Sequence, residues 1–126
     1  MANEITQTVG LAASKGGSVI NPGTMTKLLT MTGDDMTQYT VTSATATATA
    51  FTWGSITGAP VAVMIKNLDA TNYVEIAGTV DGTPALTGFK IKILAGVTIL
   101  VGLSSATLYH QANGGACNLL VVAAKI

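Results

Sequence analysis

VAVMIKNLDATNYVEIAG, residues 61–78, decides how this chain is read. Val61–Lys66 has an apolar centre and the β-branched residues that favour a pleated, half-buried strand. Asn67–Asn72 then sets Asn, Asp and Thr side chains where they can bond their own backbone, which makes a turn. Tyr73–Ala77 resumes the strand pattern. The unit is therefore strand, turn, strand, and nothing in it carries the 3.6-residue period of a helix.

The same pattern continues on both sides. Gly78–Gly88 (GTVDGTPALTG) reads as a loop, followed by a strand at Phe89–Leu94. Alternation puts Phe89, Ile91 and Ile93 on one face of that strand, towards the core, and Lys90 and Lys92 on the other. Ala95-Gly96 turns the chain into Val97–Val101, and Gly102–Ser105 turns it again into Leu108–Ala112. Asn113-Gly114-Gly115 suits positive φ. The closing strand, Leu119–Ala124, contains the continuously apolar LLVV, which implies a central strand covered on both faces. Towards the N-terminus, Ile5–Val9 is extended, and Gly16-Gly17 and Asn21-Pro22-Gly23 interrupt the chain. Met25–Met31 is a strand turned by Gly33-Asp34-Asp35. Gly54 and Gly58-Ala59-Pro60 punctuate the approach to Val61. Short strands at this spacing predict an all-β, antiparallel β-sandwich, jelly-roll-like, with an extended N-terminal segment. The expected organisation is a single domain over residues 1–126, with 1–23 as an N-terminal arm and 24–126 as the sandwich.

Between Gln38 and Trp53 lies a tract in which threonine and alanine alternate, TVTSATATATAFTW over residues 40–53. A flexible polar loop is one reading of so simple a composition. The preferred reading is a long β-segment interrupted near Ser43, because alternate threonines oppose a helix. One face would carry Tyr39, Val41, Ser43, Thr45, Thr47, Thr49, Phe51 and Trp53, and the other Ala44, Ala46, Ala48 and Ala50 among threonines. A flat, uncharged strand invites pairing with another chain. Ala44, Ala46, Ala48, Ala50, Phe51 and Trp53 are therefore the candidate intersubunit contact.

Composition narrows the function. Of 126 residues 10% are charged and 48% are hydrophobic, the opposite of a disordered chain. Six lysines balance six carboxylates and arginine is absent, which argues against a nucleic-acid partner. So uncharged a chain has either a surface largely of Thr, Ser, Asn, Gly and Ala or one covered by partners, and cover by partners is the preferred reading. The longest apolar run, Ile93–Leu103, is too short and too glycine-interrupted to span a membrane as a helix. Met1–Gln7 has no secretory pattern, and the single Cys117 cannot form an intrachain disulfide, which fits assembly in a reducing cytoplasm.

No catalytic, cofactor-binding or metal site is expected. His110 is the only histidine and reads as a half-buried structural residue. A Cys117–His110 pair would need proximity and a third group to orient the imidazole. Ala13–Ser18 (ASKGGS) lacks the spacing of a phosphate loop. Asp34-Asp35 lacks the calcium-loop pattern. Glu4, Asp34, Asp35, Asp69, Glu75 and Asp81 are scattered, with no evident acid–base pair. Among the aromatics, Trp53, Tyr73 and Tyr109 could stack on a sugar, while core packing is the plainer role.

Trp53–Gly78 and Phe89–Ile126 together resemble a group of small structural proteins of tailed bacteriophages. The shared features are a strand–turn–strand unit matching Ile65–Ile76, a turn at Ala95-Gly96, and a hairpin matching Leu108–Leu120 (LYHQANGGACNLL) before a final apolar strand. ITQTVGLAASKG, residues 5–16, is similar to the start of such proteins. The resemblance implies a β-sandwich virion component with no cofactor and no enzymatic role, and in first place a capsid decoration (cement) protein. Its implied partners are copies of itself, as a homotrimer, and the major capsid protein, on the capsid surface of a particle assembled in the host cytoplasm. A tail, head–tail adaptor or fibre-associated protein, with a receptor- or glycan-binding role, is the alternative.

Overall fold

In a computed structural model, residues 4–30, 35–81 and 85–125 are described, and all their regular structure is β. Met31, the Gly33-Asp34 part of the expected turn, Asp34 of the acidic pair, Gly82 and Ile126 lie outside the described residues. The chain divides into two compact units at Asp35.

The first unit is a long hairpin. β1 (Glu4–Gly10) pairs antiparallel with β4 (Thr24–Thr30), and β2 (Ala13–Lys15) with β3 (Ser18–Ile20). Gly16 and Gly17, at φ 57° and 84°, form the tip. Two consecutive positive φ values give the turn whose twist matches a two-residue hairpin, and glycine takes them without steric cost. Asn21 Oδ1 accepts a hydrogen bond from the Gly23 amide, 3.1 Å away, where the returning leg shifts register by one residue. The strand expected at Met25–Met31 thus belongs to this hairpin, paired to β1 by Val9↔Met25 and Ile5↔Leu29. No described residue of the hairpin is buried.

The second unit is the sandwich. Its strands are β5 (Met36–Ser43), β6 (Thr49–Ala50), β7 (Ala62–Asn67), β8 (Val74–Val80), β9 (Leu86–Ile93), β10 (Thr98–Val101), β11 (Tyr109–Ala112) and β12 (Cys117–Ala124). One sheet has the order β10-β7-β12-β5, and the facing sheet β6-β11-β8-β9. The pairings are nested: β5 with β12, β6 with β11, β7 with β10 and β8 with β9, all antiparallel. A folded-over ribbon rolled into two sheets produces this order, which is the jelly roll.

The core lies between the sheets. Val63, Ile65, Val74, Ile93, Leu119, Val121 and Ala123 are each 0% exposed. They are alternate residues of their strands, so the period of two read in the sequence is the period that packs. β12 is central, between β7 and β5, as its apolar run predicts. Leu119 and Val121 face the core, whereas Leu120 and Val122 are half-buried on the outer face.

Two expectations are corrected. Phe89 does not join Ile91 and Ile93 in the core; it is 84% exposed. A bulge is the cause. Gly88 and Phe89 oppose the single Gly78 where the β8–β9 register shifts, and the extra residue resets the alternation. The expected loop 78–88 is largely strand, since β8 runs on to Val80 and β9 begins at Leu86. The apolar run Ile93–Leu103 is the end of β9, a turn and β10.

Candidate assembly surface

The register gathers four connections at one end of the sandwich. Ser43 pairs with Cys117, Asn67 with Leu119, Lys66 with Thr98, and Val74 with both Ile93 and Ala112. The β5–β6, β7–β8, β9–β10 and β11–β12 connections therefore emerge together.

Local chemistry fixes this end. Asn67 is 0% exposed. Its Nδ2 donates to the Asn72 carbonyl at 2.9 Å and to the Ile93 carbonyl at 3.2 Å, and its Oδ1 accepts from the Asp69 amide at 3.0 Å. Asp69 Oδ1 in turn accepts from the Thr71 and Asn72 amides, at 2.8 and 2.6 Å. Those backbone donors lower the Asp69 pKa. Asn72 then packs against the glycines of the next connection: a Cβ on Gly114 would stand 2.8 Å from Asn72 Oδ1, and one on Gly115 2.9 Å from Asn72 Nδ2. The Leu68 amide donates to the Asn118 carbonyl at 2.9 Å, and the Asn113 amide to the Tyr73 carbonyl at 3.0 Å. The two sequence motifs, Ile65–Ile76 and Leu108–Leu120, are thus one structural feature.

The exposed surface of this end mixes apolar and uncharged polar side chains, with Asp69, Lys66 and Lys92 beside them. Leu68, Leu94 and Val97 are 48, 55 and 39% exposed. They adjoin one another, because the Asn67 amide donates to the Val97 carbonyl and the Val97 amide to the Leu94 carbonyl, each at 3.0 Å. Ala44, Thr45, Ala46 and Thr47 are also exposed.

The threonine–alanine tract is divided. β5 stops at Ser43, the chain crosses between the sheets over residues 44–48, and β6 resumes for two residues. The corner is pinned to β11 by the Ala112 amide donating to the Ala44 carbonyl (2.9 Å) and Gln111 Nε2 donating to the Thr45 carbonyl (2.8 Å). Of the candidate contact residues, Phe51 and Trp53 belong to the main core at 6 and 7% exposure. Ala48 is buried in a smaller cluster with Ala77 and Leu86. These three are occupied within the subunit, which leaves Ala44, Ala46 and Ala50 for a neighbour. The physical reason is the crossing: it turns Phe51 and Trp53 inward, stacked at 5.6 Å.

Sequence reasoning missed Leu68, Leu94 and Val97. For Leu68 the signal was an apolar residue inside a turn where polar residues would suffice; Leu94 and Val97 were read as strand ends.

The two residues weighed as a nucleophile–base pair, His110 and Cys117, are both buried. His110 is 0% exposed, with Nδ1 2.9 Å from Ser43 Oγ and its ring 4.5 Å from Phe51. Burial pushes its pKa down to about 4. Cys117 lies 3.5 Å from the Gly115 carbonyl and 3.9 Å from that of Tyr73, and burial, with the Asp69 charge, raises its pKa. A nucleophile–base pair needs the reverse: a thiolate beside an imidazole that can hold a proton. Trp53 donates its indole N–H to the Ala106 carbonyl, and the Tyr73 ring is covered by Lys92 Nζ at 3.9 Å from its centroid. Glu75 pairs with Lys90 at 3.2 Å, on the surface. Among the described residues, no three His, Cys, Asp or Glu side chains gather as a metal would require. Comparison with protein-family models, with curated proteins and with solved structures finds no match.

Proposed function

We propose that this chain is a structural component of a tailed-phage virion, a capsid decoration protein that fastens adjacent subunits of the head. The reading is carried by one observation: the two motifs that resemble phage structural proteins meet at a single end of a jelly roll, where Leu68, Leu94 and Val97 are exposed. Jelly rolls also serve other functions, so the fold alone does not choose. The surface chemistry favours assembly. Leu68, Leu94 and Val97 offer apolar area to a neighbour, and the Ala44–Thr47 corner lets another backbone approach closely. The partners in this reading are further copies of the chain, as a homotrimer, and the major capsid protein. The mechanism is burial of surface across subunit boundaries, multiplied by many copies on one shell.

The test is to add the purified chain to heads that lack it. Saturable binding in fixed ratio to the shell protein, with a raised head melting temperature, is the expected result. Heads left unchanged, with the chain copurifying with tails, would overturn the decoration reading in favour of a tail or adaptor protein.

A further inference from the structure

The chain carries one asparagine followed by glycine, Asn113-Gly114, in the β11–β12 connection. An asparagine can modify itself without an enzyme. The main-chain nitrogen of the next residue attacks the side-chain carboxamide carbon and closes a five-membered imide. The attack needs a nitrogen with a proton to lose, a carboxamide free to turn, and no side chain in the way. A following glycine meets the last condition, having no Cβ.

The fold separates the described asparagines on these grounds. Asn21 precedes Pro22, whose nitrogen has no proton to lose. Asn67 is buried with its carboxamide bonded on both sides, and the Leu68 amide after it donates to the Asn118 carbonyl at 2.9 Å. Asn118 lies within β12, with Oδ1 accepting from Thr42 Oγ1 at 2.8 Å. Asn72 is half-buried and precedes the bulky Tyr73. Asn113 differs from all four. Both it and Gly114 are exposed. Its own amide is anchored on the Tyr73 carbonyl at 3.0 Å, but among the described residues no hydrogen bond engages its carboxamide or the Gly114 amide.

We propose that Asn113 is a site of spontaneous deamidation, and that its product undoes the contact between the β7–β8 and β11–β12 connections. The Gly114 nitrogen bonds to Asn113 Cγ, the Cγ–Nδ2 bond breaks, and Nδ2 leaves as ammonia with the proton from the Gly114 amide. Water then opens the imide, giving its oxygen to a new carboxylic acid and a proton back to the Gly114 nitrogen. Opening at Cγ leaves aspartate. Opening at the main-chain carbonyl leaves isoaspartate, whose backbone runs through the side chain and is longer by a methylene. Either product ionises, so a neutral chain becomes negative at the end that already holds Asp69. Isoaspartate does more. Gly114 and Gly115 lie so close to Asn72 that a Cβ would stand 2.8 and 2.9 Å from its carboxamide. A lengthened backbone has no slack there and must lift the turn off Asn72. The reaction needs no partner, so it stands apart from the decoration role.

The test ages the full, folded chain in mildly alkaline buffer below its melting temperature and follows each asparagine by peptide mass mapping. Asn113 should be lost at least about tenfold faster than Asn21, Asn67, Asn72 or Asn118, a barrier lower by about 1.4 kcal/mol. Isoaspartate, distinguished from aspartate by isoaspartyl methyltransferase labelling, should be the larger product. The aged chain should melt below the fresh chain and below Asn113→Asp, which carries the charge without the longer backbone. Asn113→Ser, aged alongside, should keep its melting temperature. The proposal is overturned if Asn113 survives in the folded chain and is lost only in urea, or if another of these asparagines is lost as fast. Aspartate formed without isoaspartate overturns it too, as does an isoaspartyl chain that melts with the fresh one or an equal melting loss in aged Asn113→Ser.

Discussion

The arm and the sandwich are made from the same residue types, and only one of them makes its own core. Thr, Val, Ile, Leu and Gly dominate both, and both pair antiparallel strands in good register. In the sandwich, two sheets face each other and Ile65, Leu119 and Val121 are removed from water. In the arm there is no second layer, so Val9 and Met25 remain more than half exposed. Hydrogen-bonded pairing alone contributes little net stability, because water satisfies the same groups in the unfolded chain. Layering is what turns a β-pattern into a fold.

The comparison breaks most directly at a leucine from each region. Leu119→Ala removes a fully buried side chain from the central strand and should cost about 2–5 kcal/mol in urea unfolding. Leu29→Ala in the arm should change the unfolding of the isolated subunit by less than about 0.5 kcal/mol. Equal losses would mean that the arm contributes a core of its own.

Acid should separate the regions next, because the buried histidine belongs to the sandwich. The His110 pKa is depressed to about 4, so the unfolded chain binds a proton between roughly pH 6.5 and 4 while the folded chain stays neutral there. The stability that this group contributes is complete above pH 6.5 and falls as pH drops to 4, by about 3 kcal/mol. His110→Leu should flatten that part of the pH–stability profile. A wild-type profile that is flat over that range would show that His110 is solvated in the folded chain.

Gly114→Ala sharpens the account of the loop end. Gly114 has φ 86°, and a Cβ there would stand 2.8 Å from Asn72 Oδ1. The left-handed backbone costs an L-residue about 1–2 kcal/mol before the clash is counted. Thermal melting should report at least that loss. The smallest effect is expected at Ala46, which is exposed: Ala46→Lys should shift subunit stability by no more than about 0.5 kcal/mol. It should still weaken head binding if the corner faces a neighbour. Ala48→Lys, two residues on, would force an ammonium into a buried cluster and should destabilise the fold itself.

Much of this was legible in the sequence. The strand–turn–strand unit at residues 61–78 is built as its residues imply, because Asn67 and Asp69 act on backbone a few positions away. The central place of the last strand followed from its apolar run. The arm was legible as an extended N-terminal segment, though its second leg was assigned to the sandwich, since a strand does not announce its partner. Phe89 misled because one extra residue at a bulge reverses alternation without altering composition. Leu68 was passed over because a turn residue can point either way, and Leu94 because it was read as the end of the strand Phe89–Leu94.

Local chemistry, then, was fixed by the sequence itself: where strands run, where they turn, and which side chains hold each turn. These depend on steric and hydrogen-bonding preferences that act over a few residues. The tertiary structure alone decided partnership. It nested β5 with β12 and β6 with β11, split the threonine–alanine tract between two sheets, and brought the Trp53 indole to the Ala106 carbonyl 53 residues away. Those outcomes depend on which faces can be buried together, a property of the whole ribbon as it rolls and of no single stretch within it.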